Sequence, residues 1–354
     1  RIDFTDNTDG HLLLEPQSEN LVTDSEGYTD YFSNSGTLIY NNITSPDGLM
    51  NGAKNYAPTS GSYKGLSKSL GSTLNNSAYT LSIFAKAGEF DNLFFYNVGA
   101  PAGNGGVWFN LSTGIVGTTH ASWSNAKMED YGNGWYRCSS TITLSGTLDH
   151  LYILLADADN SVTATANGTD GYYIFGAQLE ELSYATSYIP TNGGTVTRDA
   201  ETCTGAGEAI DFNSEEGVLY AEIAALADGG DTRAITIYSA ANNRITLSLH
   251  STTNRVQFYI AMNGYVNTVD LDATDISQTN MNKIACKFKA NDYALWINGV
   301  EKDTNTTQSN TVQSGTLNSL NFDINGSNNF YGKVKAIRVY KEALSDTDLQ
   351  NLTS

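Results

Sequence analysis

Apolar and polar residues alternate with a period of two along most of this chain, the signature of strands with one face buried. In the first half the alternation predicts strands over Tyr79–Ala87, Asn92–Val98, Gly106–Leu111, Trp135–Leu144, Leu148–Ala156 and Gly171–Leu182. In the second half it predicts Gly217–Ala224, Arg233–Ser239, Arg244–His250, Arg255–Ala261, Lys283–Ala290, Tyr293–Ile297 and Gly332–Tyr340. Turn chemistry separates them: Gly88, Pro101 to Gly106, Gly132 to Gly134, and Asn167 to Gly171. Asn242–Asn243 and Asn298–Gly299 stand at hairpin positions. Helical periodicity appears once, at 344–352. There Ser345 is placed to cap, and Asp346 and Asp348 fill the first turn ahead of Leu349 and Leu352. Short strands at this spacing predict an all-β protein of two antiparallel β-sandwich or jelly-roll domains with one short C-terminal helix.

The boundary between the two falls after Pro190, where Thr191-Asn192-Gly193-Gly194 opens a stretch without apolar period. The expected organisation is an extended arm over 1–20, a first sandwich over 21–190, a linker over 191–208 and a second sandwich over 209–354. The arm holds Leu12, Leu13 and Leu14, which cannot bury themselves alone. Residues 176–191, GAQLEELSYATSYIPT, pose a question of their own. They form a strand that ends in a small, polar, tyrosine-marked exit stopped by Pro190.

Composition narrows the partners. A net charge of −19 and a pI near 4.4 exclude the basic footprint that nucleic acid or an anionic membrane requires. No apolar run approaches the roughly 18 residues of a membrane helix, so no membrane insertion is expected. The chain begins at Arg1, which leads us to expect further protein upstream. Cys138 and Cys286 lie on apolar strand faces and read as small buried hydrophobes; an odd total of 3 suits a reducing cytosol.

Several stretches resemble a known group. Leu12-Leu13-Leu14-Glu15-Pro16-Gln17, Asn20-Leu21, Gly134-Trp135-Tyr136-Arg137-Cys138, Gly176 through Thr191, and Thr197-Arg198 recur in this order in tailed-phage structural proteins. There they mark a carbohydrate-binding-module-like jelly roll of tail, tailspike and head-fibre proteins. The second half resembles the concanavalin A-like, laminin G-type sandwich, through Glu216–Glu222, Leu295–Gly299 and Tyr331 to Leu352. The resemblance implies a non-enzymatic virion-surface protein, assembled in the host cytoplasm, that binds host-surface glycans or decorates the particle. It also implies a homotrimer joined to other virion proteins through its N-terminal part. On that reading Leu12, Leu13, Leu14, Tyr184 and Tyr188 make the contact between chains. A secreted bacterial lectin or adhesin, and a glycan depolymerase, remain the alternatives.

Candidate chemistry is sparse. His11, His120, His150 and His250 are scattered, and no nucleophile, phosphate or dinucleotide motif is present. Asp270-Leu271-Asp272-Ala273-Thr274-Asp275 has the acid spacing of concanavalin A-like glycosidases, but with aspartate at every position. A solvated acidic turn is its commoner meaning, and calcium the alternative at Asp270, Asp272 and Asp275; no other cofactor is indicated. Sugar binding needs an aromatic face beside amides or carboxylates. Trp123, in a polar stretch, Trp296 and Trp108 are the candidates, whereas Trp135 reads as a core or turn anchor.

Overall fold

The alternation becomes sheet almost throughout: among the described residues 52% are strand and 3% helix. The computed structural model describes residues 2–4, 8–29, 32–34, 36–69, 77–98, 105–143, 150–239, 243–262 and 265–354. The expected turn at Pro101 and half of the Asn242–Asn243 pair lie outside them. The chain divides into two compact units, residues 17–199 and residues 1–16 with 200–354.

The first sandwich, 17–199, has two six-stranded antiparallel sheets. One runs in the order Ile115–Thr119, Gly105–Asn110, Asn92–Val98, His150–Ala156, Gly65–Ser69, Phe32–Asn34. The other runs Trp123–Asp130, Trp135–Thr143, Ala78–Lys86, Gly171–Glu180, Gly52–Tyr56, Thr37–Ile43. Their inner faces supply alternate residues, among them Leu93, Phe95, Phe109, Leu81, Ile83, Cys138 and Leu179, to one core.

The second sandwich also packs two antiparallel sheets. The five-stranded sheet is Tyr265–Ala273, Val256–Met262, Arg244–Leu249, Arg233–Tyr238, Ser319–Asn321. The seven-stranded sheet is Ile2–Asp3, His11–Leu14, Gly332–Tyr340, Glu216–Ala225, Asn282–Lys289, Tyr293–Ile297, Val300–Asn305. The helix Asp346–Thr353 covers the outer face of the larger sheet, burying Leu349 against Val218, Tyr220 and Trp296. Ser345 caps it, its hydroxyl accepting from the Asp348 amide at 3.2 Å. A single 3-10 turn at Ala209–Asp211 is the other helical piece described.

The expectation of a separate arm over 1–20 is corrected. His11–Leu14 pairs in register with Gly332–Tyr340, and Leu14, 4% exposed, enters the core beside Leu219 and Val334. Leu12 packs against the same core, and Leu13 on the opposite face is 6% exposed. Of the two places their isolation in sequence allowed, their own domain or a neighbouring chain, these leucines take the first, so no contact between chains is needed to bury them. Their partner is more than 300 residues away, at Val334, and nothing local announces it. The first sandwich is thus inserted between the first sixteen residues of the second and the remainder.

The exit at 176–191 is now explained. Gly176, at φ +62°, sits in a bulge where an added Cβ would meet the Tyr188 ring at 2.9 Å. The bulge keeps Ala177 and Leu179 in the core while Gln178 and Glu180 serve the returning chain. Gln178 accepts from the Ile189 amide at 2.6 Å, and Glu180 accepts from Ser18 at 2.6 Å and from the Thr186 amide at 3.0 Å. Thr80 and Thr141 donate to the Leu182 and Ser183 carbonyls at 2.8 and 3.0 Å. The Tyr188 ring sets edge-on against Phe84 and Phe175, and its hydroxyl meets Ser25 at 2.6 Å. So Tyr188 serves its own domain, and the segment is a strap rather than a free exit.

Two substitutions separate the units. Leu14→Ala should lower the unfolding transition of the second sandwich, at a cost of about 2–4 kcal/mol for the cavity. Asn20→Ala, which strips four hydrogen bonds inside 17–199, should lower the other transition by a similar amount. Calorimetry in which both substitutions move the same transition would refute the division.

Candidate functional site

The three tryptophans singled out from sequence are all buried. Trp123, 3% exposed, points into the first core, its indole N–H donating to Asn97 Oδ1 at 3.0 Å and Gly105 O at 3.1 Å. Its serine neighbours hid this, because a polar stretch can still send every second side chain inward. Trp296, 8% exposed, does lie on the outer sheet face, but the C-terminal helix covers it. Trp108 stacks on Phe94 at 5.0 Å with 7° between the rings, and its indole N–H donates to Ser161 O at 2.7 Å. None of the three presents a free ring face to a ligand.

Trp108 nonetheless marks the place. It floors an aromatic cluster on the outer face of the Asn92–Val98 sheet, with Phe94, Leu154 and Ala156 buried beneath Tyr63, Tyr96, Tyr152 and Val162. Ladder register sets Gly106, Tyr96, Tyr152 and Ser67 side by side across four strands. Tyr96 lies 4.9 Å from Tyr63 and 6.1 Å from Tyr152 between ring centroids, and His150 lies 5.9 Å from Tyr152. All three tyrosines keep part of their surface in solvent. Gly106 leaves the end of the row open; a Cβ there would strike the Trp108 ring at 3.1 Å.

Burial, with the Tyr63 hydroxyl hydrogen-bonded alongside, pushes the Tyr96 phenol up to about 12, so it stays a neutral donor and acceptor. Tyr63 holds a left-handed φ of +57°. Of the eleven described non-glycine residues at positive φ, nine are asparagines and only Tyr28 and Tyr63 are tyrosines. Asparagine takes that conformation readily; a bulky ring does so only where its surroundings hold it. The Tyr63 amide donates to Val162 O at 2.8 Å, fixing it over Tyr96.

Aspartates near the row are already engaged. Asp157 accepts from the Thr165 amide and hydroxyl at 2.7 and 2.8 Å, and Asp159 from those of Thr118 at 2.8 Å each. The row therefore presents phenols and an imidazole, and the two aspartates described beside it are already engaged. Sequence reasoning passed over Tyr63, Tyr96 and Tyr152. The signal was there: the outward positions of Asn92–Val98, Gly105–Asn110 and His150–Ala156 include Phe94, Tyr96, Trp108 and Tyr152.

The acidic run of the second half ends strand Tyr265–Ala273, with Asp270 and Asp272 on its outer side, and leads into a bend that holds Asp275. Asp272 is clamped by Arg255 through both oxygens at 2.8 and 2.9 Å, which holds that guanidinium's pKa above its ordinary value. Asp270 accepts from Gln257 at 2.8 Å. Asp275 pairs with Lys302 at 2.7 Å, and this hydrogen bond lowers its carboxyl's pKa. Arg255 and Lys302 thus pair with two of the three carboxylates, and no group of three or more His, Cys, Asp or Glu side chains placed to hold a metal ion is found among the described residues.

Residues 212–350 match the family Laminin_G_3, the Concanavalin A-like lectin/glucanases superfamily. The second sandwich is a concanavalin A-like, laminin G-type lectin-like domain. No curated protein matches the chain. Among solved structures, domain 4 of AbnA, a GH43 extracellular arabinanase from Geobacillus stearothermophilus, in complex with arabinotriose, is 18% identical. That match covers 49% of this chain and 81% of that one, with a TM-score of 0.34. Domains LG4-5 of the mouse laminin alpha1 chain are 11% identical over 82% of this chain and 91% of theirs, with a TM-score of 0.30. At these scores neither likeness bears on function.

The buried tryptophans should behave as core. Trp123→Ala is expected to cost about 3–5 kcal/mol and to lower the melting transition of the first sandwich. An unchanged transition would show the ring to be at the surface.

Proposed function

We propose that this protein is a non-enzymatic glycan-binding protein whose first sandwich grips neutral polysaccharide along Tyr63, Tyr96 and Tyr152. The observation that carries this reading is the row itself. Tyr96 and Tyr152 are paired in register on the sheet, Tyr63 packs 4.9 Å from Tyr96 out of the bend before Gly65–Ser69, all three rings are partly exposed, and His150 lies beside them. Ring faces match the C–H surface of a pyranose, and the phenols exchange hydrogen bonds with its hydroxyls. Neutral sugar is favoured because the row carries no fixed cation and the chain bears −19, which repels sulfated or carboxylated chains. The lectin-like fold of the second sandwich supports the class of ligand. The absence of catalysis is supported by the engagement of Asp272 and Asp275 with Arg255 and Lys302. A place on a virion surface, in contact with host glycans, is supported by the sequence resemblance within residues 12–198 to tailed-phage structural proteins.

Calorimetry or a glycan array with neutral and acidic polysaccharides tests this. Tyr96→Ala and Tyr152→Ala should each weaken binding about tenfold or less, in line with about 1 kcal/mol per stacked ring. Circular dichroism should show the fold retained. Equal affinity in the double variant, or a preference for sulfated glycan, would sink the tyrosine row. Separately, the protein should release no reducing ends from any glycan it binds. Sustained release that disappears in Asp272→Asn would establish an enzyme instead.

A further inference from the structure

We infer that Tyr63 is the specificity-determining residue of the tyrosine row. Through it the row takes a single polysaccharide chain whose sugar faces turn along its length, and rejects flat, crystalline polysaccharide. The inference rests on the glycan-binding reading and names the class of ligand within it.

Tyr63 carries an aromatic ring on a backbone that does not favour one. Its φ of +57° lies in the left-handed region, which glycine and asparagine enter readily and a bulky side chain only under constraint. Tyr28, the other described tyrosine there, is 2% exposed and fills the core of the first sandwich, so burial offsets its strain. The Tyr63 ring keeps part of its surface in water, and packing alone does not account for it. Strain kept at a half-exposed ring points to a contact outside the fold.

The bend is built to fix that ring. Its amide donates to Val162 O at 2.8 Å, Lys64 O accepts from the Leu155 amide at 2.9 Å, and Gly61–Ser62 pairs with Thr163–Ala164. At Gly65 an added Cβ would strike Ile153 O at 2.4 Å, so the chain is pressed onto the sheet directly after the bend. Backbone bonds on both sides thus hold the ring in place before any ligand arrives, and ordering it costs the ligand nothing further.

Ring angles then set the shape of what can bind. Tyr63 is tilted 45° to Tyr96, and Tyr96 59° to Tyr152, at centroid separations of 4.9 and 6.1 Å. No plane can lie flat on two of these rings at once. A crystalline polysaccharide presents its sugars as one plane, so it would stack on a single ring. A single chain whose residues rotate relative to one another can set successive sugar faces against successive rings. Tyr96 and Tyr152 are aligned by the ladder, whereas Tyr63 precedes strand Gly65–Ser69. Its removal therefore changes the shape of the surface without touching the sheet.

Depletion assays with microcrystalline cellulose and crystalline chitin, beside calorimetry with soluble amylose and soluble β-1,3-glucan, test this on the full chain. The expected result is binding to at least one soluble chain, with both crystalline solids at least about tenfold weaker. Tyr63→Gly should weaken the soluble ligand about three- to tenfold, the loss of one stacked ring. It should do so without lowering the thermal transition of the first sandwich, because glycine takes a positive φ freely. Tyr63→Phe, which keeps the ring, should retain both the affinity and the preference for the soluble chain. Crystalline solids bound as tightly as soluble chains would overturn the inference and leave the glycan-binding reading standing. Binding to none of the four probes overturns it as well, and the glycan array then decides the broader reading separately. Unchanged affinity in Tyr63→Gly ends the role given to this ring. A transition that falls in Tyr63→Gly and not in Tyr63→Phe does the same, since it would mark a packing residue.

Discussion

The side-chain amide of Asn20 holds the first sandwich shut. Its nitrogen donates to the Ala177 and Ile189 carbonyls at 3.2 and 2.9 Å, and its oxygen accepts from the Val22 and Leu179 amides at 3.0 and 3.1 Å. One fully buried group thus ties the chain entering the domain to the last strand and to the strap leaving it. An inserted domain needs this more than a terminal one does, because its two ends must stay together while its strands close the sheet between them. Thr191 reinforces the closure by donating to Val22 O at 2.7 Å, and Ser18 and Arg198 pair in a short ladder beside it. Asn20, Ser18 and Thr191 are withdrawn from water, so each of their bonds lost leaves a partner unsatisfied at about 1–3 kcal/mol. Asn20, Gln178 and Glu180 share one task, the fastening of these ends.

Much of the fold was legible in the sequence because inward positions alternate cleanly in the core strands. Asn92–Val98 and Tyr293–Ile297 were read with their observed limits, and the capped helix was displaced by about a residue. What stayed hidden were strands without alternation. Trp123–Asp130 sends Trp123, Ala126 and Met128 toward the core, but an irregularity between Ser124 and Lys127 breaks the alternation, and Val300–Asn305 is polar after Val300. Tyr265–Ala273 was obscured for a different reason: its Asp270 and Asp272 face away from the core while Val269 and Leu271 enter it, and the acids dominated the pattern. His11–Leu14 was misplaced because its partner is distant, a fact that no local window contains.

The candidate site was misread by residue type. Tryptophan is the best single platform for sugar, but it is also the largest apolar side chain, and a sandwich core claims it first. Here Trp123 fills the core and Trp108 serves as the floor beneath the platform. Tyrosine can sit at the boundary because its hydroxyl remains satisfied in water while the ring packs below. Tyr63, Tyr96 and Tyr152 each occupy that half-buried position, and the abundance of tyrosine in this chain fits that use.

The acidity of the chain has a structural origin that bears on both its ligands and its partners. Asp24 accepts from the Gly27 amide and Thr29, Asp47 from Ser45 and the Leu49 amide, Asp157 from Thr165, and Asp159 from Thr118. Each carboxylate builds a turn by satisfying a neighbouring amide or hydroxyl, the task for which short acidic side chains suit loops. Once so engaged they are poor metal ligands, yet they keep their charge and project it into solvent. The loops that these side chains fold therefore carry negative charge, whereas Tyr96 and Tyr152 present an uncharged stretch of the sheet. A carboxylated or sulfated ligand would therefore meet repulsion at these loops, from the same side chains that fold them.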